Sequence, residues 1–330
     1  MSTDSTSPAR AQENEQHIES FFRVPVASLT PGTLIGFSLF AEVAGELIAF
    51  VAAGQSFQRH HRLTLLDAGQ GDAYVPVHDR ERYFQYLENN IAELLKFDGP
   101  VGEEQLSKVY DVGEVVTREL IEDPGEPQTR RLATSWVSQS AALFGPSQDD
   151  SVLGNMVRVL DVAPDLYQHS MHVCLYGLAL ARELGSAESE ELSDFGIGLL
   201  LHDVGKLAIP GCLEATGSLD DASRERIQQH PQLGYDRVQG LNWVGAIARD
   251  VILHHHERPD GRGYPGGLRP ADLTIHAKIA AVANAFDART TERPYRPASP
   301  SIQVLGGMID EGRGAFDAKI LATFVRMLSA

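Results

Sequence analysis

A chain of 330 residues with 43% hydrophobic side chains is long enough for about two domains, each able to bury a core. Its 45 acidic against 28 basic residues leave a formal charge of −17, which excludes sequence-independent binding to a nucleic-acid polymer and confines any anion site to a local cleft. The only cysteines, Cys174 and Cys212, form no CxxC pair, and no run approaches the ~18 apolar residues of a membrane span, so a cytoplasmic protein without disulfides or membrane insertion is expected.

Residues 1–19 are polar, lack apolar periodicity and read as a disordered tail. From 20 to 78 short alternating runs (FSLFAEV, ELIAFVAAG, AYVPV) are broken by Pro31-Gly32, Gly45, Gly54 and the Gly69 to Asp72 stretch, predicting a small β-rich domain in which His60-His61 is an exposed strand pair. Tyr83, Tyr86, Leu87, Ile91 and Leu94 then recur at helical steps, starting a helix near Asp79. Helical periodicity continues over 103–122 and 127–144 around the breaker Asp123-Pro124-Gly125, so 79–149 reads as a helical connector. Either a signal-carrying or dimer-forming role or ordinary packing fits this connector. Residues 150–330 are helical throughout in pattern, predicting an all-α bundle and an α+β protein overall.

The chemistry concentrates in that second half. Eight of the twelve histidines fall between His169 and His276, and imidazoles carried by several helices can converge on one metal inside a bundle. In LLLHDVGKLAIP the pair His202-Asp203 closes an apolar helical run; the nitrogen and one carboxylate oxygen can meet one cation while the second oxygen reaches another. A helix-terminal pair that only caps and hydrogen-bonds is the plain alternative. His255-His256 follows a second helix, with a glycine-rich loop behind it able to bring backbone close to a ligand.

Together, His202-Asp203 with Gly205-Lys206, HHExxDGxGYP at 255–265 and FDARTTERPYR at 286–296 strongly resemble the HD-GYP family of bacterial cyclic-di-GMP phosphodiesterases, within the HD phosphohydrolase superfamily. The resemblance covers about 150–330 and implies an HD-type helical bundle that hydrolyses cyclic di-GMP to pGpG, and onward to GMP, in second-messenger signalling. By that likeness His169, His202, Asp203, His230, His255 and His256 are the metal ligands, with Asp203 bridging two divalent ions, iron or manganese. Asp165, one turn before His169, takes the place of a glutamate that supports a third metal in some members, or simply caps its helix. Lys206 matches the family lysine at the scissile phosphate, Tyr264 belongs to the loop over the site, and Arg293 and Arg296 match residues that hold phosphates or guanine edges. One position departs from the family: Asn284 stands where the pattern has an aspartate ligand, and a neutral amide oxygen is the weaker donor. The alternative reading is therefore an impaired domain serving as a cyclic-di-GMP sensor or interaction module. His172, His254 and His276 have no matching role. The first domain is expected to dock a signalling partner or a second copy of the chain.

Overall fold

The computed structural model describes residues 20–96, 101–144, 152–154, 156, 165–186, 189–212, 220–290, 300–311 and 314–329. The expected tail at 1–19, Arg293, Arg296 and most of the helical segment expected at 151–161 lie outside the described residues. The chain divides into two compact units, Met1–Leu94 and Leu95–Ala330.

In the first unit, strands β1 (Phe21–Pro25), β3 (Leu39–Val43), β4 (Glu46–Val51) and β6 (Asp72–Pro76) form an antiparallel sheet of order β1-β6-β3-β4, and β2 (Thr33–Leu34) pairs with β5 (Ser56–Phe57). Between β5 and β6 lies helix α1 (Arg59–Asp67), so His60-His61 opens a helix and is not a strand pair. The pattern misled because α1 carries only one buried residue, Leu65, and its apolar signal is correspondingly faint. Helix α2 (Arg80–Leu94) buries the face bearing Tyr83, Phe84, Tyr86, Leu87 and Ile91. Tyr83 meets Phe22 and Phe37 edge-on at 5.6 and 5.5 Å, and its hydroxyl lies 2.9 Å from Ser28 Oγ. That aromatic face makes α2 part of the first unit.

The second unit is helical. Helices α3 (Glu103–Glu122) and α4 (Pro127–Ala142) are separated by the Asp123-Pro124-Gly125 breaker, with Pro127 in the first turn of α4 where its missing N–H is no loss. Both pack on α5 (Leu166–Glu183) and α6 (Ser189–Leu201), so the two helices expected as a connector belong to the bundle itself. Every residue of α5 from His169 to Ala181 is buried, as an all-round apolar helix must be, and α6, α10 (Ile275–Thr290) and α12 (Ala318–Ser329) pack around it. After α6 the chain makes a short 3₁₀ turn, Val204–Ala208, then α7 (Asp221–Ile227), α8 (His230–Val238) and α9 (Ala246–His254); α11 (Ser301–Asp310) lies between α10 and α12. Gly205 in the 3₁₀ turn is dictated by close approach: a Cβ there would lie 2.0 Å from the His230 carbonyl oxygen and 2.5 Å from Gly234 N. The Gly after the His-Asp pair thus lets α8 press onto the turn and carry His230 to Asp203. Among the described residues no helix is long and apolar enough to cross a membrane.

Candidate metal centre

Four elements of the second unit deliver donors to one buried point. His169 comes from the first turn of α5, His202 and Asp203 from the end of α6, His230 from the start of α8, and His255 and His256 from the end of α9. His169, His202 and Asp203 offer ligand atoms within 4.8 Å of one another, and so do Asp203, His230, His255 and His256. Asp203 is common to both groups. Its Oδ2 lies 3.5 Å from His169 Nε2 and 3.4 Å from His202 Nε2, while Oδ1 lies 3.1 Å from His230 Nε2 and 3.8 Å from His255 Nε2. Lys206 Nζ donates a short hydrogen bond to Asp203 Oδ2.

The rings are aimed by their other nitrogens. His202 Nδ1 meets the Leu199 carbonyl at 2.7 Å, His230 Nδ1 that of Ile227 at 2.6 Å and His255 Nδ1 that of Ile252 at 3.0 Å. A carbonyl only accepts, so each Nδ1 carries the proton and each Nε2 presents a bare lone pair inward. His230 Nε2 and His255 Nε2 face each other 3.0 Å apart, and His202 Nε2 and Asp203 Oδ1 are buried without a hydrogen-bond partner. Buried acceptors pointing at acceptors are destabilising until a cation lies among them, so this nitrogen and oxygen donor set fits divalent metal.

Electrostatics agree with that donor set. Burial lowers His255 and His256 well below the ordinary imidazole range, reinforced by neighbouring histidines, and keeps them neutral. Burial alone would protonate Asp203, but the Lys206 ammonium beside it holds its carboxyl well below the usual range.

Of the other expected residues, Asn284 is buried on α10 and lines a cleft of about 570 Å³ beside His169, Lys206, His256 and Tyr264. Tyr264 stacks on His256 with ring centroids 4.6 Å apart. Asp165 is not brought to the cluster. One oxygen caps α5 by accepting from Tyr167 N and Gln168 N, both at 2.9 Å, and the other pairs with Arg118 at 3.2 Å, so the capping alternative holds for it. The glycine-rich loop also does something other than expected. A Cβ on Gly263 would lie 2.4 Å from Arg258 N and Glu257 Cα, so its close approach is to the loop's own backbone. The loop is anchored by buried Glu257, whose carboxylate accepts from Gly266 N at 2.5 Å and from Gly267 N and Leu268 N at 3.0 Å.

The sequence alone assigns Asp287 no role, yet it holds two of the histidines. Its two oxygens take His169 Nδ1 at 2.6 Å and His172 Nδ1 at 2.8 Å, and these two rings hold the buried carboxylate ionised against the effect of burial. His172 thereby shares its carboxylate partner with His169. Arg258, Arg262, Arg289 and Phe316 also line the cleft. The Glu of HHE and the Asp of FDA were the available signals for the two carboxylates, whereas the cationic lining needed the tertiary fold.

The helical bundle converges a His/Asp cluster able to hold metal, and an HD domain model matches residues 156–320, half of the chain. The chain belongs to the HD domain family, and the HHExxDGxGYP stretch places it in the HD-GYP group. A cyclic di-GMP phosphodiesterase of Pseudomonas aeruginosa is 36% identical over 177 residues, 53% of this chain and 42% of its own length. A 3'3'-cGAMP-specific phosphodiesterase of Vibrio cholerae is 29% identical over 225 residues, 65% of this chain and 48% of its own. The chain therefore spans less than half the length of these curated relatives. A solved structure of an HDG"Y"P protein from Bdellovibrio bacteriovorus shares the fold, with a TM-score of 0.68 at 20% identity over 94% of this chain and 100% of that one.

Proposed function

We propose that this chain is a metal-dependent phosphodiesterase that hydrolyses cyclic di-GMP to pGpG and, in a second cycle, to GMP. The observation that carries the reading is the place of Asp203, with one oxygen toward His169 and His202 and the other toward His230 and His255. His169, His202 and Asp203 would hold one divalent ion, His230, His255, His256 and Asp203 a second; thiolate-free ligation suits iron or manganese. With Asp165 engaged as a cap, two ions suffice. When bound, such ions acidify water and offset phosphate charge. The chain's own residues supply the rest: Asp287 and the helix carbonyls fix the imidazoles, and Lys206 sets an ammonium at the cleft wall, where it meets a phosphate oxygen and can give a proton to the leaving 3′ oxygen. Arg293 and Arg296 are assigned to the phosphates by their motif alone. The test is turnover of cyclic di-GMP by the full chain loaded with Mn²⁺ or Fe²⁺. Asp203→Ala should abolish turnover and lower bound metal while the helical circular-dichroism signal persists; wild-type-like turnover by that variant would remove the two-metal reading.

A second reading rests on buried Asn284 at the cleft, next to the His169 side. An amide there binds metal more weakly than a carboxylate, and the domain would then sense the dinucleotide without cleaving it. Asn284→Asp separates the two. Higher Mn²⁺ occupancy with faster turnover marks an enzyme limited by metal, and higher occupancy without turnover marks a sensor.

A further inference from the structure

Four basic residues line the cleft of a chain of net charge −17, and they are not equivalent. Lys206 sits against Asp203, Arg258 is held in a fork by Asp260 at 2.7 and 3.1 Å, and Arg262 is exposed at the loop. Arg289 is paired with Glu311, as two of the others are paired with aspartates, and its guanidinium also lies 5.8 Å from the Phe316 ring centroid. Arg289 and Phe316 both line the cleft, and neither is needed to build the metal centre.

Their place along α10 indicates what they would meet. Ala281, Asn284, Ala285, Ala288 and Arg289 make one stripe of that helix facing the cleft. The alanines leave open floor, Asn284 shares the cleft with His169, His230, His255 and His256, and Arg289 stands five residues further on, about 7.5 Å along the axis. That separation suits a nucleotide with its phosphate at the metals and its base at Arg289. Because Glu311 already offsets the Arg289 charge, its remaining N–H groups favour a neutral acceptor pair over a second phosphate.

Resting on the phosphodiesterase reading above, we propose that Arg289 and Phe316 form a guanine subsite: the base stacks on Phe316, and its O6 and N7 accept from the Arg289 fork that Glu311 holds in place. Guanine offers two acceptors on that edge, whereas adenine sets its N6 amino group against the arginine donors. An aromatic face supplies stacking to either purine, so Phe316 contributes affinity and Arg289 contributes selectivity. A dinucleotide with two guanines should therefore be preferred to one with two adenines.

The experiment compares kcat/KM of the Mn²⁺-loaded full chain for cyclic di-GMP, 3'3'-cGAMP and cyclic di-AMP in wild type, Arg289→Ala, Arg289→Lys and Phe316→Leu. Arg289→Ala should lower kcat/KM for cyclic di-GMP by about tenfold or more, chiefly through KM, and leave cyclic di-AMP almost unchanged. Arg289→Lys should lose the preference as well, since an ammonium lacks the fork, and Phe316→Leu should weaken all three substrates alike. An unchanged substrate ratio in an active Arg289→Ala variant, or an equal fall for all three, would overturn the guanine subsite while leaving the phosphodiesterase reading intact. Should the wild type cleave none of the three, that reading fails separately, and calorimetry then decides the subsite. Cyclic di-GMP bound in preference to cyclic di-AMP, with the preference lost in Arg289→Ala, supports it; no preference overturns it.

Discussion

Asp287→Asn probes the centre without touching a first ligand. In the wild protein both carboxylate oxygens accept, one from His169 Nδ1 at 2.6 Å and one from His172 Nδ1 at 2.8 Å. An asparagine of nearly the same shape has one oxygen and one NH₂ group, so one of the two rings must turn an acceptor toward it. If that ring is His169, its proton moves to Nε2, the nitrogen facing Asp203, and the ring can no longer ligate. If it is His172, His169 keeps its tautomer but loses a charge-assisted bond. Replacing an outer carboxylate of this kind typically lowers metal affinity by about 10- to 100-fold, or about 1.4–2.7 kcal/mol. Titration calorimetry of the full chain with Mn²⁺ reads this directly, and circular dichroism reports whether the bundle is intact. His172→Gln is the control: it breaks the other half of the bridge, so it should lower thermal stability while leaving Mn²⁺ affinity near that of wild type. If Asp287→Asn bound Mn²⁺ as tightly as wild type, the bridge would be mere core hydrogen bonding and the orienting argument would be wrong.

Glu257→Gln replaces a carboxylate that accepts from three backbone N–H groups. Hydrogen bonds to a charged group contribute about 1.5–3 kcal/mol each, so hydrogen exchange at residues 266–268 should accelerate by at least tenfold and KM should rise; unchanged exchange would show that the loop is held by other contacts. The pH dependence of the metal-free protein follows from His255 and His256, both held well below the ordinary value of about 6.5 by burial and then by neighbouring rings. The unfolded chain takes up protons near pH 6.5 that the folded chain refuses, so the proton number is higher in the unfolded state and stability falls as pH drops through that range. Urea unfolding in the presence of chelator should thus give a lower unfolding free energy at pH 5.5 than at pH 7.5; an equal or higher value at pH 5.5 would show that the folded chain does not refuse those protons.

The clustered donors were conspicuous in the sequence because they sit in short local signatures. His202-Asp203 closes an apolar helix and His255-His256 precedes a loop, so the helix ends alone put four donors in register. Asp287 was harder, since its partners lie 115 and 118 positions away. Asp165 shows the opposite difficulty. A carboxylate one turn before a ligand is compatible with metal binding or capping, and only the free N–H groups of Tyr167 and Gln168 together with Arg118 decide between them. In the first unit, α1 escaped detection because a helix with one buried side chain leaves almost no periodicity in a sequence otherwise patterned for strands.

The charge of the chain and the charge of the proposed substrate have to be reconciled at the cleft. A field of −17 repels a doubly anionic dinucleotide at a distance, but at about 0.15 M salt exposed charges are screened within about 8 Å. Inside the cleft the account reverses, for Lys206, Arg258, Arg262 and Arg289 line it. Two of these cations are largely offset by Asp260 and Glu311, and Lys206 by Asp203, so the positive potential there depends on the divalent ions that the histidines would hold. Neutral histidines are the ligands that make this possible: each adds a donor without adding negative charge, so only Asp203 subtracts from the charge of the ions. Replacing one histidine by a carboxylate would bind metal and still weaken the hold on phosphate, which gives a physical reason for an imidazole-rich centre in an acidic protein.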